Sequence, residues 1–175
     1  MPRQDPANGY NFLVSFVNST SSLTTWLSGV SAYPMAGFSE CSGLESSMQP
    51  EEHKEGGRND TVLKFPSRVT WSNLRLRRGV IATRDLWQWY DGFVQGKGKR
   101  RDGLIVLQND QRKPVRAWRW LEGMPVKWVG PSLDANQSRV AIEELEIAHH
   151  GLTVGASMSV GEAIGEVVGA VEAMF

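Results

Sequence analysis

The residues able to do chemistry are few. Three histidines, His53, His149 and His150, and one cysteine, Cys41, are the only imidazole and thiol groups in 175 residues. His149 and His150 are adjacent, so on a strand they point to opposite faces and make a poor metal pair. No Cys, His or carboxylate joins them at usable spacing. Cys41 has no partner for an internal disulfide and reads as a buried small apolar residue. The chain contains no G-x-S-x-G, no H-E-x-x-H and no Walker motif. Gly96-Lys97-Gly98-Lys99-Arg100-Arg101 has the wrong glycine spacing for a phosphate cradle and follows a predicted helix instead of opening one. It reads as a solvated basic loop. Trp118, Trp120 and Trp128 could stack on nucleic-acid bases, but the spacing suits packing against a helix equally well. These patterns predict no enzyme, no cofactor and no metal. A nucleic-acid-binding module using Lys97–Arg101 and the tryptophans is the alternative from another class.

The elements that must position these residues centre on 68–96. Val69, Trp71, Leu74 and Leu76 read as a strand whose apolar face changes parity partway. A period of two cannot absorb that change, so a bulge or bend is expected near Ser72-Asn73. Thr83 is the expected N-cap of the helix that follows, with Asp85 in its first turn. Leu86, Trp89, Tyr90, Phe93 and Val94 recur at helical spacing as its packing face, and Gly96 ends it.

Before this region, Tyr10, Phe12, Val14 and Phe16 alternate along a strand, and Phe38–Met48 reads as a second one weakened by Gly43. Between strand-like runs lies a charged segment holding Glu51, Glu52, His53, Lys54, Glu55, Gly56, Gly57, Arg58 and Asn59. It predicts a long hairpin with a projecting loop, which is either a solvated turn or a contact arm. After the helix, Leu104–Leu107 is apolar at every residue and predicts a strand buried on both faces. Asn109–Arg112 turns it into Val115–Leu121. Arg139–His149 is the last expected strand, with Val140 and Ile142 on one face and Leu145 and Ile147 on the other.

Residues 153–175 form a C-terminal extension to a main domain at 1–152. Val160, Ile164, Val167, Val168, Val171 and Met174 fall at helical spacing, and Gly161, Gly165 and Gly169 make a row that lets another backbone approach. The segment is either a flexible tail or a helix that forms on docking, because each glycine costs about 1 kcal/mol of helix propensity. Charge is balanced, 19 basic against 19 acidic groups, which argues against a dedicated nucleic-acid binder and suits a protein that assembles. No apolar run reaches the roughly 18–20 residues of a membrane span.

Several motifs occur together in one order: 37–45 (GFSECSGLE), 55–59 (EGGRN), 74–80 (LRLRRGV), 86–89 (LWQW), 125–131 (PVKWVGP) and 140–149 (VAIEELEIAH). Together they resemble the inner-tube proteins of contractile tails, including phage tail tubes and extracellular contractile injection systems. The type VI haemolysin-coregulated protein is a more distant likeness. The resemblance covers about Tyr10 to Leu152. It implies a mainly β fold, a sandwich or barrel-like subunit of two curled antiparallel sheets with one flanking α-helix. It further implies a homo-hexameric ring, stacked copies inside a sheath protein, baseplate and tube-terminating partners, and a lumen carrying a protein effector or DNA. Assembly in the bacterial cytoplasm into a phage tail or injection particle follows from the same resemblance. Glu51–Asn59 takes the place of the family's ring-stacking arm. Arg75, Arg77, Glu144 and Glu146 become candidates for exposed or lumen-facing positions. The extension after Leu152 departs from the pattern and leaves a repeating tube subunit and a specialised tube-initiator ring at the baseplate both open.

Overall fold

The computed structural model describes residues 6–18, 37–54 and 61–156. Eleven strands and one helix fall within them: β1 (Phe12–Asn18), β2 (Glu40–Ser42), β3 (Ser46–Met48), β4 (Glu51–His53), β5 (Leu63–Phe65), β6 (Val69–Trp71), β7 (Leu74–Gly79), α1 (Asp85–Val94), β8 (Arg101–Gln108), β9 (Pro114–Val129), β10 (Ile142–Ala148) and β11 (Gly151–Ala156). All pairings are antiparallel. The main sheet runs β1-β8-β9-β10-β7-β2, and β11 pairs with the first half of β9. It does not close on itself: β1 and β2 are its open ends.

The long strand β9 joins two halves. Residues 116–121 pair with β11, whereas 124–129 pair with β10. The passage occurs at Glu122, whose φ is +53°. Opposite it, β8 advances from Arg101 to Gly103 while β9 runs from Gly123 to Trp120, so β9 carries the extra residue of a bulge. Asp102 holds that bend: its carboxylate accepts from the Glu122 amide and from Arg119, each at 2.9 Å. A second register shift lies beside Pro125. A proline without an N–H is tolerated inside a strand only at such an irregularity.

Trp120 is fully buried and fills the bend. Its ring lies on Gly103, where an added Cβ would meet Cζ2 at 1.9 Å, and against Gly123, where it would meet Nε1 at 2.6 Å. Its indole N–H donates to the Arg101 carbonyl at 3.2 Å. Phe16 stands edge-on to Trp120 (5.3 Å) and to Trp89 of α1 (5.2 Å), which ties the helix to the sheet.

The helix ends as expected. Gly96 takes a φ of +72°, its amide donates to the Phe93 carbonyl at 3.1 Å, and the Lys97 amide reaches the Gly92 carbonyl at 2.8 Å, a Schellman closure. Its start differs from expectation. Arg84 occupies the cap position without a side-chain capping bond, and Thr83 instead donates to the Asp85 carboxylate at 2.9 Å. Asp85 is committed elsewhere, to Arg78. Leu86 and Trp89 are buried and Tyr90 and Phe93 pack against the core, but Val94 is exposed.

Arg78 is the hub of the helix contact, with its side chain 1% exposed. Its Nε donates to Glu143 of β10 at 2.7 Å, and its two terminal nitrogens grip Asp85 at 2.7 and 3.3 Å. Glu143 also accepts from the Trp128 indole at 3.2 Å, and the Phe38 ring lies under the guanidinium at 5.8 Å. Four elements and the segment before β2 therefore meet at one cation.

Several expectations are corrected. Phe38–Met48 is two strands, split at Gly43, which has a φ of +87° and sits against the Asn73 carbonyl where a Cβ would clash at 2.1 Å. In β8 only Ile105 of the apolar run is fully buried; Leu104, Val106 and Leu107 are half-buried. Val140 lies outside β10 and is 75% exposed, and the inward row of β10 is Glu143, Leu145, Ile147 with no change of face. His149 is not the end of the sheet: β11 follows it.

Two substitutions test these contacts by chemical denaturation. Gly103→Ala should cost about 3 kcal/mol, because the buried Trp120 ring cannot move aside without leaving its cradle. Arg78→Met should cost about 3–5 kcal/mol by stranding Glu143, and Arg78→Met with Glu143→Gln should recover part of the loss.

Candidate assembly interface

The surfaces left over by this core are an arm, a charged face and three strand edges. The arm is a two-stranded ribbon. Ser46, Ser47 and Met48 pair with Trp71, Thr70 and Val69; Glu51, Glu52 and His53 pair with Phe65, Lys64 and Leu63. Pro50 and Pro66 interrupt the ladder, and Ser67 donates across the gap to the Gln49 carbonyl. Both faces are open: Met48 and Phe65 are about half exposed, and Glu51, Glu52, His53 and Lys54 lie at the surface. His53 stacks edge-on to Phe65 at 6.3 Å, and Lys64 pairs with Glu52 at 3.8 Å, an exposed pair worth little. Glu55, Gly56, Gly57, Arg58 and Asn59 lie outside the described residues, as do Gly161, Gly165 and Gly169.

The parity change in 69–76 is realised where the arm meets the body. β6 stops at Trp71, β7 starts at Leu74, and Ser72-Asn73 make the bend. The Ser72 amide donates to the Glu45 carbonyl at 3.2 Å. His149, between β10 and β11, places Nε2 3.1 Å from the Ser72 carbonyl and its ring 6.2 Å from Trp71. That contact requires the N–H on Nε2. Burial pushes the His149 pKa down, and its backbone hydrogen bonds only partly oppose this. Sequence reasoning missed this role because His149 looked partnerless; its partner is a main-chain carbonyl, which has no sequence signature.

The outward face of β2, β7 and β10 is a charge ladder. Arg77 lies opposite both Glu40 and Glu144, bonding the first at 2.9 Å and approaching the second at 3.5 Å. Arg75 faces Glu146 at 4.0 Å, and Asn73 donates to the same carboxylate at 2.8 Å. Glu40 and Asn73 belong to this face and were not singled out from sequence; the alternation of β2 was too short to read. The edges of β1, β2 and β11 each have one pairing strand among the described residues and leave the other side open.

The groups considered for chemistry are elsewhere engaged. Cys41 is partly buried, and desolvation raises its pKa to about 11, so it is a poor nucleophile. Trp120 is inaccessible, Trp118 packs against the core, and Trp128 packs edge-on to Trp87 at 4.7 Å. In the basic loop, Lys99 gives its carbonyl to the Trp89 indole at 2.8 Å and Arg101 lies over the Trp89 ring at 5.2 Å. Among the described residues no three His, Cys, Asp or Glu side chains are grouped to hold a metal ion. No described helix is long and apolar enough to cross a membrane.

An open antiparallel sheet, one docked helix and a projecting ribbon make up the described subunit. The model of the T4-like virus tail tube protein gp19 family matches residues 8–153, and the chain belongs to that family. Among solved structures it is similar to a chain of the anti-feeding prophage baseplate, with 26% identity and a TM-score of 0.75 over 90% of this chain and 100% of that one. It is also similar in fold to a chain of the sheath–tube complex of the PVC extracellular contractile injection system in its extended state (24% identity, TM-score 0.71, 86% and 92% covered). A chain of the anti-feeding prophage tube-terminating cap shares the fold at 20% identity and a TM-score of 0.73, with 89% and 95% covered. Comparison with curated proteins gives no match.

The anchor at the arm's root has a pH signature. A depressed folded-state pKa means the unfolded chain binds the proton more tightly, so the His149 contribution is complete above the ordinary value of 6.5 and is lost as pH falls below it. The urea midpoint should therefore drop between about pH 7.5 and pH 5, and His149→Gln should flatten that part of the profile.

Proposed function

We propose that this chain is the repeating subunit of the hollow inner tube of a contractile injection particle. Six copies close into a ring, rings stack inside a sheath, and contraction drives the tube through a target envelope. The lumen conducts a protein effector or DNA, and baseplate and terminator proteins bound the tube. No bond is made or broken by the subunit itself.

The observation that carries this reading is the ribbon β3–β6 and β4–β5, lying within the span matched to the tail tube family. A two-stranded ribbon exposed on both faces is marginally stable alone and gains a partner surface when it lies on the adjacent ring. Glu51–Asn59 is the ring-stacking segment in this scheme. The open edges of β1, β2 and β11 are the places where neighbouring copies pair, and closure of the ring consumes them. A second reading, a tube-initiator ring at the baseplate, is favoured by the likeness to a chain of the anti-feeding prophage baseplate.

Negative-stain microscopy of the purified protein separates these. Six-fold rings that lengthen into tubes of uniform bore support the repeating subunit; rings that never lengthen support the initiator; a monodisperse monomer at high concentration refutes both. Replacing residues 49–66 by a short turn should leave single rings intact and abolish their stacking.

A further inference from the structure

The sheet β1-β8-β9-β11 has two faces of different standing. Its inner face carries Val14, Phe16, Ile105 and Trp120 and is covered by α1. Its outer face is read from the register: Leu13, Val106, Ala117 and Gly155 form one row, and Ser15, Leu104, Arg119 and Thr153 the next. No described element lies on it, and Leu13 is 46% exposed. Yet β8 is apolar on both faces, the composition of a strand enclosed from both sides. The composition asks for a cover that the described residues do not provide.

We propose that residues 157–175 of the same chain are that cover, docking as a helix across the outer face of β1-β8-β9-β11. The chain leaves the sheet at Ala156, the end of β11, which is the strand bordering this face. Val160, Ile164, Val167, Val168, Val171 and Met174 supply a stripe of helical period. A helix over 160–174 is roughly 22 Å long, enough to cross four strands spaced about 4.8 Å apart. On such a helix Gly161, Gly165 and Gly169 lie away from the stripe, so the stripe alone meets the sheet, whose surface is low at Ala117 and Gly155. A Cβ at Gly155 would find nothing nearer than 4.0 Å, so the surface there has room. The segment's charged residues, Glu162, Glu166 and Glu172, fall on the opposite side of that helix from the stripe, as a helix with one face in water requires. Glycine-weakened helix propensity makes folding of the segment dependent on this contact. The inference does not rest on tube formation, since the contact lies within one chain.

The test uses the full chain with Cys41→Ala, carrying Ala117→Cys and Ile164→Cys. Mild oxidation of dilute protein should consume both thiols at unchanged molecular mass, at a rate independent of protein concentration. A control pair, Thr70→Cys on the arm with Ile164→Cys, should stay reduced. Alkylation of Ala117→Cys alone should be about tenfold slower in the full chain than in a chain ending at Ala156, the ratio given by ~1.4 kcal/mol of docking. Val106→Cys repeats the measurement should Ala117→Cys fold poorly. Disulfide-linked dimers that increase with concentration would assign the face to a second copy and overturn the proposal. Equal alkylation rates in the two chains overturn it as well, and because both readouts are taken on unassembled protein, either result leaves the tube reading standing.

Discussion

One guanidinium decides how this subunit is put together. Arg78 is buried between β7, β10 and α1 and is satisfied by Glu143 and Asp85 from two of those directions. Burial alone would push the Asp85 carboxyl up, but the bonds from Arg78 and Thr83 outweigh it and hold its pKa low. Such a network gains little net stability over a well-packed apolar core, since desolvating three charges costs nearly what their attraction returns. Its effect is geometric. Bidentate donation to Asp85 sets the helix start at one position along the sheet, and the second bond to Glu143 locks β7 to β10 in the same register. Leu, Ile or Met in place of these groups could pack in several ways; the ionic contact is satisfied in one. The Trp128 indole on Glu143 extends the same constraint to β9.

That hub was hidden in plain alternation. In Leu74-Arg75-Leu76-Arg77-Arg78 the inward row is 74, 76, 78, so period two alone places Arg78 in the core. Composition rules discourage that placement, and the reciprocal inward position of Glu143 became visible only with the pairing of β7 and β10. Local signals are legible: the β1 alternation from Phe12 to Phe16, though Tyr10 lies outside the strand and is exposed, the arm hairpin, the Gly96 closure and the bend at Ser72-Asn73 each depend on a few consecutive residues. What escaped depended on partners distant in sequence. Thr83 looks like an N-cap until Asp85 is seen to be held by Arg78. Trp120 and Gly103 gain meaning only when β8 and β9 are aligned. Pro125 normally ends a strand, but the adjacent bulge removes the need for its missing N–H. The Gly-rich composition after His149 suggested a tail, and β11 is a strand there because β9 offers it an edge.

The same constraint explains which surfaces remain for assembly. Because α1, Trp120 and the Arg78 network all gather on the inner side of the sheet, the buried cluster there includes neither the arm nor the strand edges. Those parts carry apolar and backbone groups that the core does not use: Phe65 and Met48 on the ribbon, and edge groups on β1, β2 and β11 that have no partner strand among the described residues. A monomeric protein would be expected to blunt such edges with bulges, prolines or inward charges. Here the bulge opposite Glu122 lies where β9 is flanked by β8 and bends the sheet, the one beside Pro125 lies where β9 pairs with β10 alone, and the pairings of β1, β2 and β11 run without a register shift.

The arm shows how body and assembly surface can be adjusted separately. It is joined to the core through Ser72-Asn73, with Gly43 pressed beneath the Asn73 carbonyl and His149 holding the Ser72 carbonyl. Neither contact involves the Arg78 network or the Trp120 cradle. Loosening this root therefore changes the direction of the ribbon while leaving the sheet intact. The root of the ribbon and the margins of the sheet are set by different residues of one small domain.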